Sequence, residues 1–206
     1  PGMRIGLFPG CSLEGSSREY LESIRQVAAV LGLELEEIPD WNCCGATAAH
    51  TLNHRLALAL PARILALAEQ AGLDEVVVPC SACYNRLAGT RYELLRNEPL
   101  RGQITDTIGM NWHGAVRVLN VLEWLSRMVG ELPGRVSAPF AHRVACYYGC
   151  YLTRPKALAT CARLEDPTEM DDLVRAVGAE PIPWAHKVEC CGAGLSVSRT
   201  ESVGRL

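Results

Sequence analysis

The 206-residue sequence lacks features that several classes of protein require. It has no excess of positive charge: 20 Lys and Arg against 23 Asp and Glu give a formal net charge of −3, which offers no electrostatic basis for nucleic acid binding. The longest apolar-rich stretch, residues 56–68, is interrupted by Arg63 and is too short to cross a bilayer. The sequence contains no basic segment followed by an apolar run, which is the pattern of a secretory signal. These absences predict a cytoplasmic protein without a direct membrane span.

Cysteine, by contrast, is abundant, with ten in the chain. In a reducing compartment, clustered cysteines are more often metal ligands or redox groups than structural disulfides. The tripeptide Cys43-Cys44-Gly45 recurs near the far end as Cys190-Cys191-Gly192. Adjacent cysteines rarely bond to each other, because the resulting ring departs from ordinary disulfide geometry. Two consecutive thiolates can instead reach neighbouring irons, and the glycine lets the backbone approach a bulky inorganic core.

The cysteines fall into two spaced sets. The first thiol set follows the pattern Cys-x31-Cys-Cys-x35-Cys-x-x-Cys and comprises Cys11, Cys43, Cys44, Cys80 and Cys83. The second thiol set follows Cys-x39-Cys-Cys and comprises Cys150, Cys190 and Cys191. A second Cys-x-x-Cys does not follow, so the second half is expected to be an incomplete repeat of the first and the chain to be part of a longer protein.

The hydrophobic pattern predicts an α/β protein with parallel sheets. Residues 3–9, 33–38 and 74–79 are typical of short strands, and helical patterns alternate with them, the strongest over residues 56–71. Strands joined by helices pair in parallel with right-handed crossovers. Ligands of such sheets gather at the carboxyl ends of the strands, where the whole first thiol set is expected to lie.

The middle of the chain predicts the division between two domains. Residues 97–109 are polar and rich in turn formers, which favours a connector, and residues 116–128 have the pattern of an amphipathic helix. Two prolines and a glycine follow within residues 131–139. We therefore expect a first domain over residues 1–138, with the complete cysteine motif, and a second over residues 139–206, without the final Cys-x-x-Cys.

Two other interpretations of the first thiol set stay open. A zinc ion prefers four thiolates in a tetrahedron, so the fifth thiol favours an iron–sulfur group, with zinc as a substitute in a structural or docking domain. The motif Cys80-Ser81-Ala82-Cys83 alone would suit a thiol–disulfide oxidoreductase, because a helix N-terminus lowers the pKa of a thiol. That interpretation leaves the Cys-Cys pairs unexplained.

A few further residues carry weaker signals. Cys146 and Cys161 fall outside the repeat and are expected to be small core residues. His186 precedes the second Cys-Cys pair and is expected to be a surface histidine rather than a ligand. Arg154 is a candidate for binding the anionic tail of a substrate, and the alternative is an ordinary surface arginine.

The cysteine pattern resembles that of the cysteine-rich CCG-domain family, which includes the CCG-containing subunit of heterodisulfide reductases and its bacterial relatives. The likeness covers nearly the whole chain. It rests on the five thiols of the first set in register, and on residues 148–155, Tyr-Gly-Cys-Tyr-Leu-Thr-Arg-Pro, which are similar to the opening of that family's second domain. The resemblance implies two Rossmann-like CCG half-domains in pseudo-repeat, the second truncated.

The resemblance also implies a function. The first thiol set would hold a non-cubane [4Fe-4S] cluster and act as the catalytic centre, and the second thiol set would supply further metal ligands. The implied activity is an oxidoreductase reaction in which a disulfide of small thiols is reduced, or formed, in one-electron steps. Implied partners are iron–sulfur and flavin subunits of the same complex, and one of these would account for any association with a membrane.

Overall fold

The computed structural model describes residues 4–46, 49–196 and 198–205. The chain divides into two compact units between Val121 and Leu122. In the first unit, four short strands form a parallel sheet in the order β2-β1-β3-β4: β1 (Ile5–Leu7), β2 (Leu35–Glu37), β3 (Glu75–Val78) and β4 (Arg117–Asn120). The predicted parallel α/β architecture is therefore confirmed.

Helices connect the strands of this sheet. They are α1 (Gly10–Gly15), α2 (Arg18–Val30), α3 (Ala49–Leu52), α4 (His54–Gln70), α5 (Ser81–Arg96) and α6 (Glu98–Ile108). The longest, α4, begins where the Asn53 side chain accepts a hydrogen bond from the Leu56 amide, and it buries an aliphatic face that includes Ile64 and Leu65. This helix coincides with the strongest helical pattern of the sequence.

The core of the first unit lies between the sheet and these helices. Strand β3 is buried along its whole length, as is typical of a central strand in a parallel sheet whose faces are covered by helices. Its one charged residue, Glu75, is 1% exposed and forms an ion pair with Arg117 on the adjacent strand β4. The strand therefore provides a rigid base for the loop that follows it.

Two expectations about the middle of the chain are wrong. Residues 97–109 are not a connector but contain α6, because Asn97 caps the helix with a hydrogen bond from the Leu100 amide and Gly109 ends it at φ +64°. Their turn-forming residues are helix caps. Residues 116–128 are not one helix but contain β4 followed by α7 (Val121–Ser126), because Val118 pairs with Val76 of β3. The single helical pattern covers a buried strand and a short helix.

The second unit is smaller and is built around a two-stranded parallel sheet of β5 (Arg143–Val144) and β6 (Glu180–Pro181). Its helices are α8 (Gly149–Thr153), α9 (Glu169–Ala176) and α10 (Thr200–Val203). Its core contains Leu122, Cys146, Tyr148, Cys161 and Val188. Because Leu122 packs in this core, the compact unit begins earlier in the chain than the division expected after residue 138.

Candidate functional site

Three loops at one edge of the first sheet carry the first thiol set. Cys11 lies in the first turn of α1, directly after β1, and the Cys43-Cys44 pair follows β2. Cys80 occupies the N-cap of α5 directly after β3, and Cys83 lies in the first turn of that helix. Because β2, β1 and β3 are neighbours in a parallel sheet, their carboxyl ends lie side by side. The predicted convergence is therefore seen in the strand order.

The sulfur atoms of this set meet in pairs. Cys44 Sγ and Cys83 Sγ are hydrogen-bonded at 3.2 Å, which is too long for a disulfide, and Cys83 also interacts with Cys80. Cys43 interacts in turn with Cys11. Cys44 and Cys83 are buried, Cys80 is partly buried, and Cys11 and Cys43 are exposed. The set therefore runs from the protein interior to the surface.

Glycine is required at two points of this arrangement. Gly10 has φ +71°, and a Cβ atom there would lie 3.1 Å from Cys83 Sγ. Gly45 has φ +75°, and a Cβ atom there would lie 2.8 Å from Leu60 Cδ1. The Gly45 amide also donates a hydrogen bond of 3.5 Å to Cys43 Sγ. Gly10 thus lets its loop pack against the Cys83 sulfur, and Gly45 lets the Cys43-Cys44 loop pack against α4.

The electrostatics of the site favour two thiolates beside one protonated thiol. The hydrogen bond from Cys83 lowers the pKa of Cys80 to about 6, and the Cys83 and Ala82 amides at the N-terminus of α5 act in the same direction against burial. The hydrogen bond from Cys83 also lowers the pKa of Cys44 to about 7, with smaller help from the Ala46 amide and the positive charge of Arg86. The pKa of Cys83 is raised, chiefly by these same two thiols.

The donor set suits an iron–sulfur group. Within the described ranges, no group of three or more thiol, imidazole or carboxylate side chains is arranged so that it could hold a metal ion. The chemistry nevertheless fits: five thiol donors lie on three adjacent loops, two of them with pKa values favouring the thiolate, and the glycine at position 10 lets the backbone pack against a buried sulfur.

The second thiol set repeats part of this geometry. Gly149 before Cys150 has φ +69°, matching Gly10, and Gly192 has φ +73°, matching Gly45. The Gly192 amide donates a hydrogen bond of 3.4 Å to Cys190 Sγ, as the Gly45 amide does to Cys43 Sγ. Cys150 interacts with Cys190, and burial followed by this interaction raises the pKa of Cys150. The internal repeat therefore extends to backbone conformation.

The structure places the remaining candidates on the surface or in the core. Arg154 Nη1 forms an ion pair with Glu165 Oε1 at 2.7 Å on the surface. His186 is exposed and contacts Glu189 at 2.9 Å. Cys146 and Cys161 are buried in the apolar core of the second unit, as expected. Arg86 was not singled out in the sequence, although it follows Cys83 by three residues on a helix.

Comparison with known proteins places the chain in a family. The sequence profile of the cysteine-rich CCG domain matches residues 5–88 and 144–205, the two regions that carry the thiol sets. The chain belongs to the cysteine-rich CCG-domain family. The assignment rests on both matched regions, which together cover most of the chain.

Two relatives are subunits of reductases. The chain is 36% identical over 192 residues to the 8-methylmenaquinol:fumarate reductase membrane anchor subunit of Wolinella succinogenes, covering 91% of this chain and 66% of the relative. It is 30% identical over 201 residues to a subunit of the ferredoxin/F(420)H(2)-dependent CoB-CoM heterodisulfide reductase of Methanosarcina acetivorans, covering 94% and 66%. The chain thus spans slightly less than two thirds of each relative.

A solved structure supports the fold. A hypothetical protein from Helicobacter pylori superposes with a TM-score of 0.70 at 14% identity, covering 99% of this chain and 37% of that one. At this identity the likeness concerns the fold alone. Among the residues with described positions, no helix is long and apolar enough to cross a membrane.

Proposed function

We propose that this CCG-family chain is the iron–sulfur subunit of a heterodisulfide-reductase-like complex that reduces, or forms, a disulfide of small thiols. The observation that carries the proposal is the gathering of five thiols at the carboxyl edge of one parallel sheet, with Cys44 Sγ and Cys83 Sγ 3.2 Å apart. The name of one relative, a heterodisulfide reductase subunit, supports this chemistry, and the other relative is a subunit of a fumarate reductase.

The first thiol set would hold the cluster, expected to be a non-cubane [4Fe-4S] cluster. When bound, it supplies single electrons to a disulfide bond whose cleavage takes two. Cys44 and Cys80 have pKa values that favour the thiolate form required of a ligand. Cys11 and Cys43 are exposed, so the substrate would approach from their side. Phe8 and Trp41, in edge-to-face contact at 5.3 Å, belong to the same apolar cluster as Cys44 and Cys83.

The second thiol set and Arg154 have secondary roles in this proposal. Cys150, Cys190 and Cys191 would provide metal ligands in the second unit, on glycine-flanked loops that resemble those of the first set. Arg154 would bind an anionic substrate tail, in competition with Glu165. Replacing all three cysteines of the second set by serine should lower the metal content without changing the EPR signal of the first site. An unchanged metal content would refute this part of the proposal.

The expected partners rest on the relatives and on the family resemblance. Both relatives are named as subunits, so we propose that this chain works within a complex. The family resemblance suggests iron–sulfur and flavin subunits as its electron-transfer partners, and we propose that a partner accounts for any membrane association of a cytoplasmic complex. The substrate would be a small-molecule disulfide or its thiols. The test is purification under anaerobic conditions from the native host through a tag on this chain, where co-purification of flavin and iron–sulfur proteins is expected and recovery of the chain alone would contradict this assignment.

A second candidate function has one specific observation in its favour. Cys80 combines a lowered pKa with a position at a helix N-terminus, and the buried Cys83 keeps its proton, which is the arrangement of an attacking and a resolving thiol. In that reaction the Cys80 thiolate would attack the substrate disulfide, release one half as a thiol and form a mixed disulfide with the other half. Cys83 would then displace that half as the second thiol and leave a Cys80–Cys83 disulfide, which a two-electron reductant such as a dithiol would reopen. No metal would be needed.

One experiment separates the two functions. Protein reconstituted with iron and sulfide without oxygen is given reduced methyl viologen and a disulfide of small thiols, and the thiols released are counted. The proposal predicts two viologens oxidised and two thiols released per disulfide, loss of activity in Cys44→Ser, and retention in Cys161→Ser, a matched control in the other unit. Equal activity in metal-free protein would favour the second candidate.

A further inference from the structure

Arg86 is a cation placed beside the first thiol set. It lies on α5 three residues after Cys83, so the two side chains share one face of the helix. Its positive charge acts on the Cys44 thiol, which contacts Cys83 at 3.2 Å. Arg86 is also partly buried, so its charge is less screened by water than that of an arginine on the open surface. It is therefore part of the electrostatic environment of the site.

Among the described residues, Arg86 differs from Arg63 and Arg91 in having no hydrogen-bond or ion-pair partner. Arg63 donates hydrogen bonds to Asp40 and Asn42, and Arg91 donates to the backbone carbonyls of Val116 and Gly114. Across residues 4–46, 49–196 and 198–205, Arg86 has neither a hydrogen bond nor an ion pair. A partly buried guanidinium without an anion is unfavourable, since it loses hydration and gains nothing in return. The charge that would balance it is the negative charge of the thiolates.

We propose that Arg86 is a positioning residue that stabilises negative charge on the group held by Cys44 and Cys83, and so makes the site easier to reduce. This inference rests on the proposed function. Reduction adds one electron, supplied by a partner subunit or a chemical reductant, and makes the site more negative by one charge. A nearby guanidinium stabilises the reduced state more than the oxidised state, which raises the reduction potential.

The test compares three variants with the wild-type protein. Arg86→Gln removes the charge and keeps a polar side chain of similar reach, whereas Arg86→Lys keeps the charge. Arg96→Gln is the matched control, because Arg96 lies in the last turn of the same helix with its guanidinium over the Tyr92 ring, away from the thiols. Each protein is reconstituted without oxygen, and its iron and sulfide contents are matched to those of the wild type before titration.

The measurement is the midpoint potential, from an EPR-monitored titration with dithionite. At a fixed solution potential, Arg86→Gln should lower the ratio of reduced to oxidised sites by about tenfold, which is a shift of about 59 mV for a one-electron couple. Arg86→Lys should lie between Arg86→Gln and the wild type, and Arg96→Gln should match the wild type. This pattern would support the proposal.

Other results would overturn it in distinguishable ways. An Arg86→Gln potential equal to that of Arg96→Gln would refute the role of Arg86 while leaving the iron–sulfur site intact. The same holds if only the KM for an anionic disulfide rises, because Arg86 would then act on the substrate. If Arg86→Gln does not bind iron, Arg86→Met, which also removes the charge and has a similar reach, decides: a potential equal to that of Arg96→Gln refutes the proposal, and a lowered one supports it. A wild-type protein that binds no iron would overturn both this inference and the proposed function.

Discussion

Replacing Gly10 by alanine should disturb the first thiol set more than any other single-methyl change in that loop. Gly10 has φ +71°, and a non-glycine residue in this conformation costs about 1–2 kcal/mol. The added Cβ would also lie 3.1 Å from Cys83 Sγ, and Cys83 is only 4% exposed, so its side chain cannot move outward. Crowding in a packed interior costs about 1–3 kcal/mol. We expect the free energy of unfolding of the first unit to fall by about 2–5 kcal/mol.

The assay is urea denaturation followed by circular dichroism, together with iron bound per chain after anaerobic reconstitution. Gly15→Ala is the matched control, since Gly15 ends the same helix, has no positive φ, and a Cβ there meets no atom within 4 Å. Gly10→Ala should lose both stability and iron, whereas Gly15→Ala should lose neither. If Gly10→Ala is as stable as Gly15→Ala and binds as much iron, the close packing of Gly10 on Cys83 is refuted.

Three further predictions concern thiol reactivity and stability. In metal-free protein, alkylation of Cys80 requires its thiolate, so the alkylation rate should rise with pH through a midpoint near 6. Burial raises the pKa of Cys161 to about 12, so Cys161 should react slowly up to pH 9. Mass spectrometry of the alkylated peptides gives both pH profiles. Cys83→Ala removes the largest cause of the lowered Cys80 pKa, so the Cys80 midpoint should move toward 9, and an unmoved midpoint would refute the hydrogen bond as its cause. Tyr148→Phe removes a hydroxyl that donates a hydrogen bond to Asp171 at 2.6 Å and accepts one from the Met170 amide. Urea denaturation should therefore show that the free energy of unfolding of the second unit falls by about 1–3 kcal/mol. Tyr147→Phe, at an exposed position, is the comparison, and equal losses of stability in the two variants would contradict the account.

The sequence predicts well what depends on local periodicity and on loops at strand ends. Helix α4 and strand β3 have long or fully apolar patterns, and both were expected where they occur. The five thiols were expected at one edge because parallel strands end together, and the strand order places their loops side by side.

The sequence predicts the structure poorly where one local pattern is compatible with two kinds of structure. Asn97 and Gly109 suit a loop as well as helix caps, and only the burial of Ile104 against the core shows that a helix lies between them. The apolar residues around Val118 satisfy a helical pattern, but pairing with β3 makes them a strand. Arg86 was missed because its importance depends on the lack of a partner among the residues that the structure describes, which is a property of the fold rather than of the spacing.

Iron, zinc and acid-labile sulfide per chain, measured on protein prepared without oxygen, test the central claim most directly. The account predicts iron and sulfide in equal amounts, an EPR signal after mild oxidation, and loss of both in Cys43→Ser and Cys44→Ser. Zinc alone, unchanged by anaerobic reconstitution with iron and sulfide, would contradict the account and leave a zinc-stabilised structural or docking domain.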